Sequence, residues 1–385
     1  MQANISIWEK ESFFAPQDVI IVGGGLMGLW SAIAVKERNA KLRVTILEKN
    51  TTPLGASTRN AGFACFGSPT ELLHDAQTLG EEAMLTTTEK RFKGIEKITR
   101  YLPKHQIDYD PCEGFECITK TQLPSVTIAD SIAYLNKLLA SITGKQHTFI
   151  RNDAALTTLG LQNFDALIQN KMEAGLHSGK LVQALQVKAI SMGMQILSGI
   201  EVTECLQHNI GVQVHTHQKI VFTAEKVLLC TNAFSNNIAT GHTIPVTPGR
   251  GQIILTSPIQ NLPLQGTFHF DAGFYYWRNL GNRILLGGAR NKAFDEETTT
   301  ELTTTHTIQN ALEDFLKQHV HPSIHYSIEQ RWSGIMGFTH NHLPYIHYIE
   351  PNILVAIACN GMGVALTPII AEEVANRLLQ TNKAI

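Results

Sequence analysis

The chain lacks the excess of positive charge that is typical of proteins that bind nucleic acids or anionic membranes. Its 385 residues include 31 Lys and Arg against 33 Asp and Glu, which gives a formal net charge of −2. The basic residues are also not clustered, so no strong positive field attracts a polyanion. The composition therefore argues against nucleic acid as a partner and says nothing about the oligomeric state.

Long apolar runs are missing as well. The longest apolar segments have the length of a strand, well short of the roughly 20 residues that cross a bilayer as a helix. The N-terminal stretch MQANISIWEKESFF has acidic and polar residues where a secretory signal needs a basic start and an apolar core. We expect a soluble, cytoplasmic protein without stable membrane insertion.

Cysteine and histidine pairs with ligand spacing are scarce. None of the six cysteines forms a C-x-x-C pair, and we expect reduced thiols, although Cys112 and Cys117 could face each other across a short hairpin. The 16 histidines are scattered. His215 and His217 would share one face of a strand, and a solvated face is favoured over a metal site. We expect no metal.

A glycine loop between a strand and a helix is the strongest positive signal. Residues 18–22 are apolar and mostly β-branched, which predicts a buried parallel strand, and residues 29–39 predict a helix. Between them Gly23, Gly25 and Gly28 form G-x-G-x-x-G. These glycines permit the turn, the approach of the backbone to a pyrophosphate and the close packing of helix on strand. Leu26 and Met27 complete the candidate phosphate loop at the helix N-terminus.

A second predicted strand covers residues 42–47, and Glu48 follows at its end. This carboxylate follows Gly28 by about twenty residues, the distance at which an acidic residue binds the ribose hydroxyls of a dinucleotide. A carboxylate there disfavours the 2′-phosphate of NADP, and Lys49 follows it. The alternative is a glycine-rich turn in an unrelated α/β protein. The unit by itself does not distinguish NAD from FAD.

The next segment favours FAD, which needs a second stretch of backbone beside its pyrophosphate and ring. Residues 55–63 are rich in small residues and carry one cation. At this segment the chain resembles the D-amino acid oxidase superfamily of FAD-dependent oxidoreductases, which includes glycine oxidase, sarcosine oxidase and gamma-glutamylputrescine oxidase. The resemblance implies cofactor contacts from Ser57, Thr58, Arg59, Asn60, Ala61, Gly62 and Phe63.

The resemblance recurs along almost the whole chain. Residues 174–185 resemble the helix that returns to the FAD domain, and residues 199–202 resemble the strand that contacts the adenine. Residues 226–233 and 332–346 match further family segments, and residues 352–368 resemble the closing motif, a strand-to-helix turn beside the flavin. The resemblance adds as candidate cofactor-binding residues Val202, Thr231, Asn232, Gly334, Asn360, Gly361, Met362, Gly363 and Val364.

The fold that the resemblance implies is α/β, with two interleaved domains, and the length of the chain also calls for two. A Rossmann-type FAD-binding domain would take residues 1–75, 176–245 and 325–385. A substrate domain, α+β on an antiparallel sheet, would take residues 76–175 and 246–324. The Thr-rich residues 296–307 could form a loop or a helix start, without a binding role. Residue patterns in the substrate domain predict helices over 78–101 and 129–141 and strands over 115–119, 251–256, 274–278 and 283–287.

The implied reaction is oxidation of a C–N bond by hydride transfer to flavin N5. The imine product would hydrolyse, and dioxygen or another acceptor would reoxidise the flavin. Because the flavin does the difficult chemistry, a conspicuous acid–base dyad is not expected. Family residues that bind a covalent flavin or activate oxygen lack counterparts near Gly334 and in residues 284–287, so we expect non-covalent FAD.

Substrate choice depends on a missing arginine. Many amino-acid-oxidising relatives clamp the substrate carboxylate with the arginine of a Gly-Leu-Arg-Pro segment, where this chain has Met336. The lysine that sarcosine-type oxidases place in the last glycine turn is replaced by Ala365. Arg278 and Arg290 could still bind a carboxylate, since a bidentate clamp needs the arginine fork.

The candidate substrate-side residues lie on a strand and in a loop. Tyr276 and Arg278 would share one face of the predicted strand 274–278, with Tyr275 and Trp277 on the other, and either face could line the pocket. His340 lies in a segment that resembles gamma-glutamylputrescine oxidase and could reach the flavin or lie at the surface. The candidate catalytic residues are Tyr276, Arg278, Met336 and His340.

Three functions remain open from the sequence. The first is oxidation of a small amine without a mandatory α-carboxylate clamp. The second is oxidation of α-amino acids with Arg278 or Arg290 as the clamp. The third is a weakly active flavoprotein that serves in assembly or RNA modification, which the near-neutral charge disfavours.

Overall fold

The computed structural model describes residues 4–122 and 125–380. These form two compact units, each assembled from separate stretches of chain. The first unit contains residues 4–58, 179–249 and 335–380, and the second contains residues 59–178 and 250–334, apart from 123 and 124. Each unit is described by itself below.

The strands in chain order are β1 (Gln17–Val22), β2 (Val44–Glu48), β3 (Phe63–Ala64), β4 (Gly114–Ile118), β5 (Phe149–Arg151), β6 (Ala166–Asn170), β7 (Ala174–Gly175), β8 (Gln195–Ser198), β9 (Val202–His208), β10 (Gly211–Thr216), β11 (Val221–Leu229), β12 (Thr247–Thr256), β13 (Thr267–Phe270), β14 (Tyr275–Leu280), β15 (Arg283–Gly288), β16 (Ile328–Phe338), β17 (Tyr345–Glu350) and β18 (Ile353–Ile357).

The α-helices are α1 (Ile7–Glu11), α2 (Leu26–Arg38), α3 (Ala56–Arg59), α4 (Pro69–Leu79), α5 (Glu81–Tyr101), α6 (Ser125–Thr143), α7 (Ala155–Thr158), α8 (Ser178–Ser191), α9 (His306–His319) and α10 (Gly363–Leu379). Short 3-10 helices are formed by Lys104–Gln106, Asn232–Asn237 and Arg290–Lys292.

A parallel sheet forms the centre of the first unit. The strands β18, β11, β1, β2 and β8 lie side by side and run parallel. β17 pairs antiparallel with β18, and the hairpin of β9 and β10 extends the sheet from the start of β11. The apolar side chains of β1 are fully buried, as its β-branched composition predicts for a central parallel strand.

The helix after β1 begins three residues earlier than the sequence pattern predicts. It starts at Leu26 rather than at position 29 because Gly25 already has the extended N-cap conformation. The helix is buried from Leu26 to Lys36, so it packs within the unit on all sides. Its last turn is joined to α10 by Arg38, whose Nε donates to Asn376 Oδ1 at 2.6 Å.

The second unit is built on a mainly antiparallel sheet. Its strand order is β16–β12–β15–β14–β13–β4–β6–β5, and β13 pairs with β4 in parallel. One face packs against α9: Tyr275 stacks on Phe315 at 4.6 Å between ring centroids, and Trp277 stacks on Phe268 at 5.2 Å. Tyr275 and Trp277 are therefore the core pair of β14, and Tyr276 and Arg278 lie on the opposite face.

Two local predictions are wrong. The helix predicted over residues 78–101 is divided into α4 and α5 at Gly80, whose φ of 90° is incompatible with a continuous helix. His215 lies in β10, but His217 follows the end of that strand, so the two do not share a strand face. All six cysteines lie within the described ranges and are free thiols.

The second unit takes up residues 59–75, which the sequence had assigned to the FAD domain. The physical reason is local pairing: β3 pairs antiparallel with β7, and the Thr70 backbone N–H donates to Glu116 Oε2 of β4 at 2.9 Å. The assignment of one unit to FAD and the other to substrate stays a prediction. None of the helices within residues 4–122 and 125–380 has both the length and the apolar character needed to span a bilayer.

The Thr-rich segment before α9 is a loop held by a buried ion pair. Arg250 donates to both carboxylate oxygens of Glu297, with Nη2–Oε1 at 2.8 Å and Nε–Oε2 at 3.0 Å. Their side chains are only 3% and 1% exposed. Arg250 Nη1 also donates to Thr303 Oγ1 at 2.8 Å. The pair thus fixes a segment that has little apolar content of its own.

We predict that Glu297→Ala lowers the free energy of unfolding by about 3–5 kcal/mol, because it leaves the Arg250 charge buried without its partner. Glu296→Ala is the matched control, since the Glu296 side chain is exposed and only its carbonyl contacts Arg250. Urea denaturation of both variants measures the difference. Equal stability of the two variants would contradict the assigned contribution.

Candidate cofactor site

The glycine loop lies at the carboxyl end of the central strand in the first unit. β2 and β11 run parallel to β1 on either side, so the carboxyl ends of all three meet at one edge of the sheet. This is the edge at which ligands bind in open α/β sheets. Gly23 leaves β1 with a φ of 109°, and a Cβ there would lie 2.7 Å from the carbonyl oxygen of Cys230. Only glycine fits this turn.

The other two glycines of the motif are also required by close approach. A Cβ on Gly28 would lie 2.0 Å from the Gly23 carbonyl oxygen, so any side chain would separate helix α2 from the turn. A Cβ on Gly25 would lie 2.8 Å from Ser57 Oγ. The loop therefore leaves backbone exposed to a ligand, as a pyrophosphate cradle requires.

The N-terminus of α2 suits an anion. Gly25 is its N-cap, and a glycine has no side chain that could accept a hydrogen bond from the first turn. The Leu26 N–H donates to Ser57 Oγ at 3.0 Å. The side chains of Leu26 and Met27 are buried, so these residues can offer a phosphate only their backbone. The helix dipole and the N–H groups of the first turn that follow Leu26 favour negative charge at this place.

Glu48 is held rigidly beside the loop. Its Oε2 accepts from the Gly24 N–H at 2.8 Å and its Oε1 accepts from the Asn50 N–H at 3.0 Å. Oε1 also accepts from Asn50 Nδ2 at 3.4 Å, so Oε2 is the oxygen that keeps a lone pair for a ribose hydroxyl. Lys49 instead pairs with Glu201 at 2.7 Å on the exposed surface. No pattern in the sequence points to Asn50, which orients the carboxylate.

Two further turns meet this edge of the sheet. After β11, the Thr231 hydroxyl bonds to Ser235 Oγ at 2.9 Å, and Asn232 has a φ of 51°. Asn232 Oδ1 accepts from the Ala358 N–H at 3.2 Å, which joins this turn to the one after β18. Val202, at the start of β9, buries its side chain, so only its backbone is available to a ligand.

The closing turn after β18 has three residues with positive φ, Ala358 at 61°, Asn360 at 49° and Gly361 at 87°. Asn360 Oδ1 accepts from the Thr339 N–H at 2.9 Å, and its Nδ2 donates to the Ala358 carbonyl at 2.9 Å. Met336 lies beside this turn, since a Cβ on Gly361 would be 3.9 Å from its Sδ. His340 is exposed.

Helix α10 begins directly after the closing turn. Met362 is its N-cap, and the first turn, as far as the described residues go, lacks a side-chain cap. The N–H groups of Gly363 and Val364 therefore resemble those at the start of α2. The resemblance predicts a turn beside the flavin here, and a helix N-terminus adds positive potential at this position.

The Thr58–Phe63 segment is divided between the units. Thr58, in the first unit, donates from Oγ1 to the Pro53 carbonyl at 2.6 Å. Arg59, in the second, donates from Nη1 to the Ser333 carbonyl at 2.9 Å, and Gly334 packs against it, with a would-be Cβ 3.0 Å from Arg59 Cβ. Arg59 Nε is buried and has no partner among residues 4–122 and 125–380.

The residues after Arg59 have structural partners within the second unit. Asn60 Oδ1 accepts from the Gly62 N–H at 2.9 Å and from Ser178 Oγ at 2.7 Å. Ala61 is buried in an apolar cluster. Phe63 meets the Tyr276 ring edge-on, with 6.1 Å between ring centroids.

Arg278 is held in place by hydrogen bonds to backbone carbonyls. Its Nη1 donates to Gly62 at 2.8 Å and to Leu176 at 3.1 Å, and its Nε donates to Asn279 at 3.0 Å. Its guanidinium lies against Gly175, where a Cβ would be 2.2 Å from Nη2. Burial lowers the pKa of Arg278. This geometry does not favour the predicted carboxylate clamp, because most donors already hold the backbone.

Tyr276 lies over a glycine of the neighbouring strand. A Cβ on Gly287 would be 2.4 Å from the Tyr276 ring. Burial raises the pKa of Tyr276 to about 12, although the Arg290 charge acts in the opposite direction. The phenol is therefore neutral over the physiological range. Arg290 lies over the Phe294 ring at 5.1 Å.

We predict that Gly28→Ala lowers both flavin content and stability. Alanine in a helix interior ordinarily stabilises a protein by about 1 kcal/mol relative to glycine, whereas here the clash with Gly23 should cost about 1–3 kcal/mol. Gly55→Ala is the matched control, because a Cβ at Gly55 meets nothing within 4 Å in the described structure. The ratio of flavin to protein absorbance measures the effect. A Gly28→Ala protein with full flavin content would refute the assignment.

Comparison with known proteins agrees with this geometry. The family model described as FAD dependent oxidoreductase (DAO) matches residues 18–377. The chain is 23% identical over 376 residues to the probable oxidoreductase OrdL of Haemophilus influenzae, covering 94% of this chain and 83% of that protein. It is 24% identical over 381 residues to gamma-glutamylputrescine oxidoreductase of Escherichia coli, again covering 94% and 83%.

Solved structures share the fold. Glycine oxidase from Geobacillus kaustophilus superposes with a TM-score of 0.70 at 20% identity, over 94% of this chain and 95% of that one. This likeness confirms the expected fold class. The family match extends over nearly the whole chain, and it confirms both the resemblance and the cofactor inferred from the sequence. The chain belongs to the DAO family of FAD-dependent oxidoreductases.

Proposed function

We propose that this FAD-dependent oxidoreductase oxidises a C–N bond of a small amine, without an arginine clamp for an α-carboxylate. The observation that carries the proposal is the pair of environments at Met336 and Arg278. Met336 places a thioether beside the closing turn. Arg278 donates from Nε and Nη1 to three backbone carbonyls. The named relatives act on gamma-glutamylputrescine and on glycine, so both a derivative of a diamine and an α-amino acid occur as substrates among the relatives.

The cofactor would be held mainly by backbone. The N-terminus of α2 with Ser57 would receive the pyrophosphate, Glu48 the ribose hydroxyls, and the N-terminus of α10 the pyrimidine edge of the flavin. When bound, FAD supplies the two-electron acceptor that the side chains do not provide. The donor set fits the group, because the cradle lacks side chains at Gly23, Gly25 and Gly28.

The cofactor would be bound without a covalent link. Cys359 lies in the closing turn, and Cys230 directly follows β11. Burial raises the pKa of Cys359 to about 12 and also raises the pKa of Cys230. A buried protonated thiol is a poor nucleophile. Denaturation should therefore release all the flavin into solution.

The protein's part in the reaction is to bind the amine neutral and oriented. An ammonium has no lone pair for the electron redistribution that accompanies loss of the adjacent C–H hydride. An apolar, unclamped position such as Met336 lets an uncharged amine bind without the cost of desolvating a carboxylate. Tyr276, with its raised pKa, would act only as a neutral hydrogen-bonding group. Hydrolysis of the imine needs only water.

A second candidate is an α-amino acid bound through Arg290. The observation that favours it is the electrostatic interaction of Arg290 with Tyr276, on the face of β14 opposite the aromatic core. In that case Arg290→Ala raises KM for the amino acid strongly, and Arg278→Ala acts through folding instead.

The decisive experiment is anaerobic reduction of the flavin with paired substrates. Ethylamine with alanine and dimethylamine with sarcosine each differ by one α-carboxylate. We predict that the carboxylate-free member of a productive pair bleaches the flavin at least as fast as its partner. Bleaching by α-amino acids alone would overturn the proposal. No bleaching by any member, together with a stable protein partner, would favour an assembly factor.

A gain-of-function variant tests the missing clamp directly. We predict that Met336→Arg raises kcat/KM for the carboxylated partner relative to the amine by about 10- to 150-fold, which is what a charged hydrogen bond of about 1.5–3 kcal/mol supplies. Met336→Leu is the control, because it keeps an apolar side chain of similar volume. An unchanged preference in Met336→Arg would show that position 336 does not face the substrate.

A further inference from the structure

The second unit contains a buried cluster that the proposed oxidation does not use. Three ligand-type atoms, one each from Cys65, Glu173 and His269, lie within 4.8 Å of one another, and all three residues are buried. We propose that these residues bind a divalent transition-metal ion, for which zinc is the reference. Thiolate, imidazole and carboxylate are the three donor types that zinc takes in proteins.

The sheet register brings the three residues together. β3 pairs antiparallel with β7 through Ala64 and Ala174, so Cys65 and Glu173, the next residue on each side, face each other. His269 comes from β13, and its Nε2 lies 2.6 Å from Glu173 Oε1. The ligands are thus distant in sequence and rigidly placed by backbone pairing, which is how a preorganised site is built.

Neighbouring groups provide the outer partners that metal ligands need. Thr267 Oγ1 donates to Glu173 Oε1 at 2.8 Å. The other ring nitrogen of His269, Nδ1, lies 3.9 Å from Glu71 Oε2, which is beyond hydrogen-bond distance, so Glu71 acts on the ring through its charge. Glycine at position 114 makes room for the carboxyl group of Glu173, since a Cβ there would lie 2.4 Å from it.

An unpartnered polar group points to a ligand in the same place. Asn170 is 3% exposed and lines a narrow cleft together with Ser68, Glu116, Glu173 and His269. Its Oδ1 accepts from the Met172 N–H at 3.0 Å, which fixes the orientation of the amide. Its Nδ2 has no partner in the part of the chain that the structure describes.

The local charge is also suited to a cation. Three carboxylates, from Glu71, Glu116 and Glu173, surround His269. Glu173 and Glu71 lie 2.6 Å and 3.9 Å from the two ring nitrogens of His269, and Glu116 lines the same cleft. A divalent ion would offset this charge where one imidazolium does not.

Binding requires small movements and the release of protons. Two donors of one tetrahedral zinc ion, each at about 2.0–2.1 Å, lie about 3.3 Å apart, so the His269–Glu173 pair must open by less than about 1 Å. Burial raises the pKa of the Cys65 thiol well above its usual value. Coordination nevertheless deprotonates a thiol, so the Cys65 proton and any proton shared by His269 and Glu173 pass to solvent.

The first test is X-ray absorption of the holoenzyme after addition of one equivalent of zinc and removal of loosely bound metal by gel filtration. We expect about one zinc per chain, with one sulfur at about 2.3 Å and the remaining nitrogen and oxygen ligands at about 2.0–2.1 Å. Zinc retained without a sulfur neighbour is adventitious binding by surface histidines and overturns the proposal. Failure to retain zinc overturns it as well.

Variants then assign the ligands, with zinc affinity as the readout. Cys65→Ser and His269→Gln should each weaken binding by at least about 100-fold, and Thr267→Val by about 10- to 100-fold, the usual cost of losing an outer partner. Cys117→Ser is the matched control: Cys117 is equally buried but lies in the apolar core of the sheet, outside the cluster. Unchanged affinity in Cys65→Ser would refute the site. If that variant does not fold, the sulfur signal of the wild-type protein decides.

Discussion

The approach of backbone to backbone at the end of β1 is the constraint on which the first unit depends. Gly23 turns within 2.7 Å of the Cys230 carbonyl, measured from the position its Cβ would take, and Gly28 approaches Gly23 even more closely. These approaches set the direction of α2, and hence where its free N–H groups lie. Because β2 and β11 flank β1 in parallel, the same edge receives Glu48 from one neighbour and Asn232 from the other. A cofactor site of this kind is made from the absence of side chains as much as from their presence.

The second unit depends instead on buried hydrogen bonds and ion pairs of arginine side chains. Arg278 joins the carbonyls of Gly62 and Leu176, and Arg250 joins a Thr-rich loop through Glu297. A buried guanidinium is expensive to desolvate, which is why its pKa at position 278 is lowered, and its hydrogen bonds repay part of that cost. Such residues look like ligand clamps in a sequence, since the same fork that binds a carboxylate also binds two carbonyl oxygens. Only the three-dimensional partners distinguish the two roles.

Sequence reasoning succeeded where the chemistry is local. The strand of residues 18–22, the glycine motif and Glu48 lie within one continuous βαβ segment, so their spacing alone predicts their geometry. The alternation along β14 correctly separated Tyr276 and Arg278 from Tyr275 and Trp277, but periodicity does not say which face meets the core. The prediction of one helix over residues 78–101 failed at Gly80. An isolated glycine is tolerated in a helix unless its backbone adopts positive φ, which the sequence pattern does not reveal. Sequence reasoning also grouped residues 59–75 with the glycine loop, whereas the pairing of β3 with β7, about 110 residues apart, joins them to the second compact unit. Which unit binds the FAD and which the substrate stays a prediction.

The cluster of Cys65, Glu173 and His269 shows this limit most clearly. Metal sites are recognisable in a sequence when two ligands share a turn or a helix face, and none of these three does. Each comes from a different strand or strand end, so the expectation of no metal rested on spacing and not on structure. The ligands also belong entirely to the second unit, whereas the glycine loop belongs to the first. Loss of a cluster residue should therefore change metal retention without removing the dinucleotide cradle, and a side chain at Gly28 should do the reverse. Chemistry that is carried by separate parts of one chain can be separated by single substitutions.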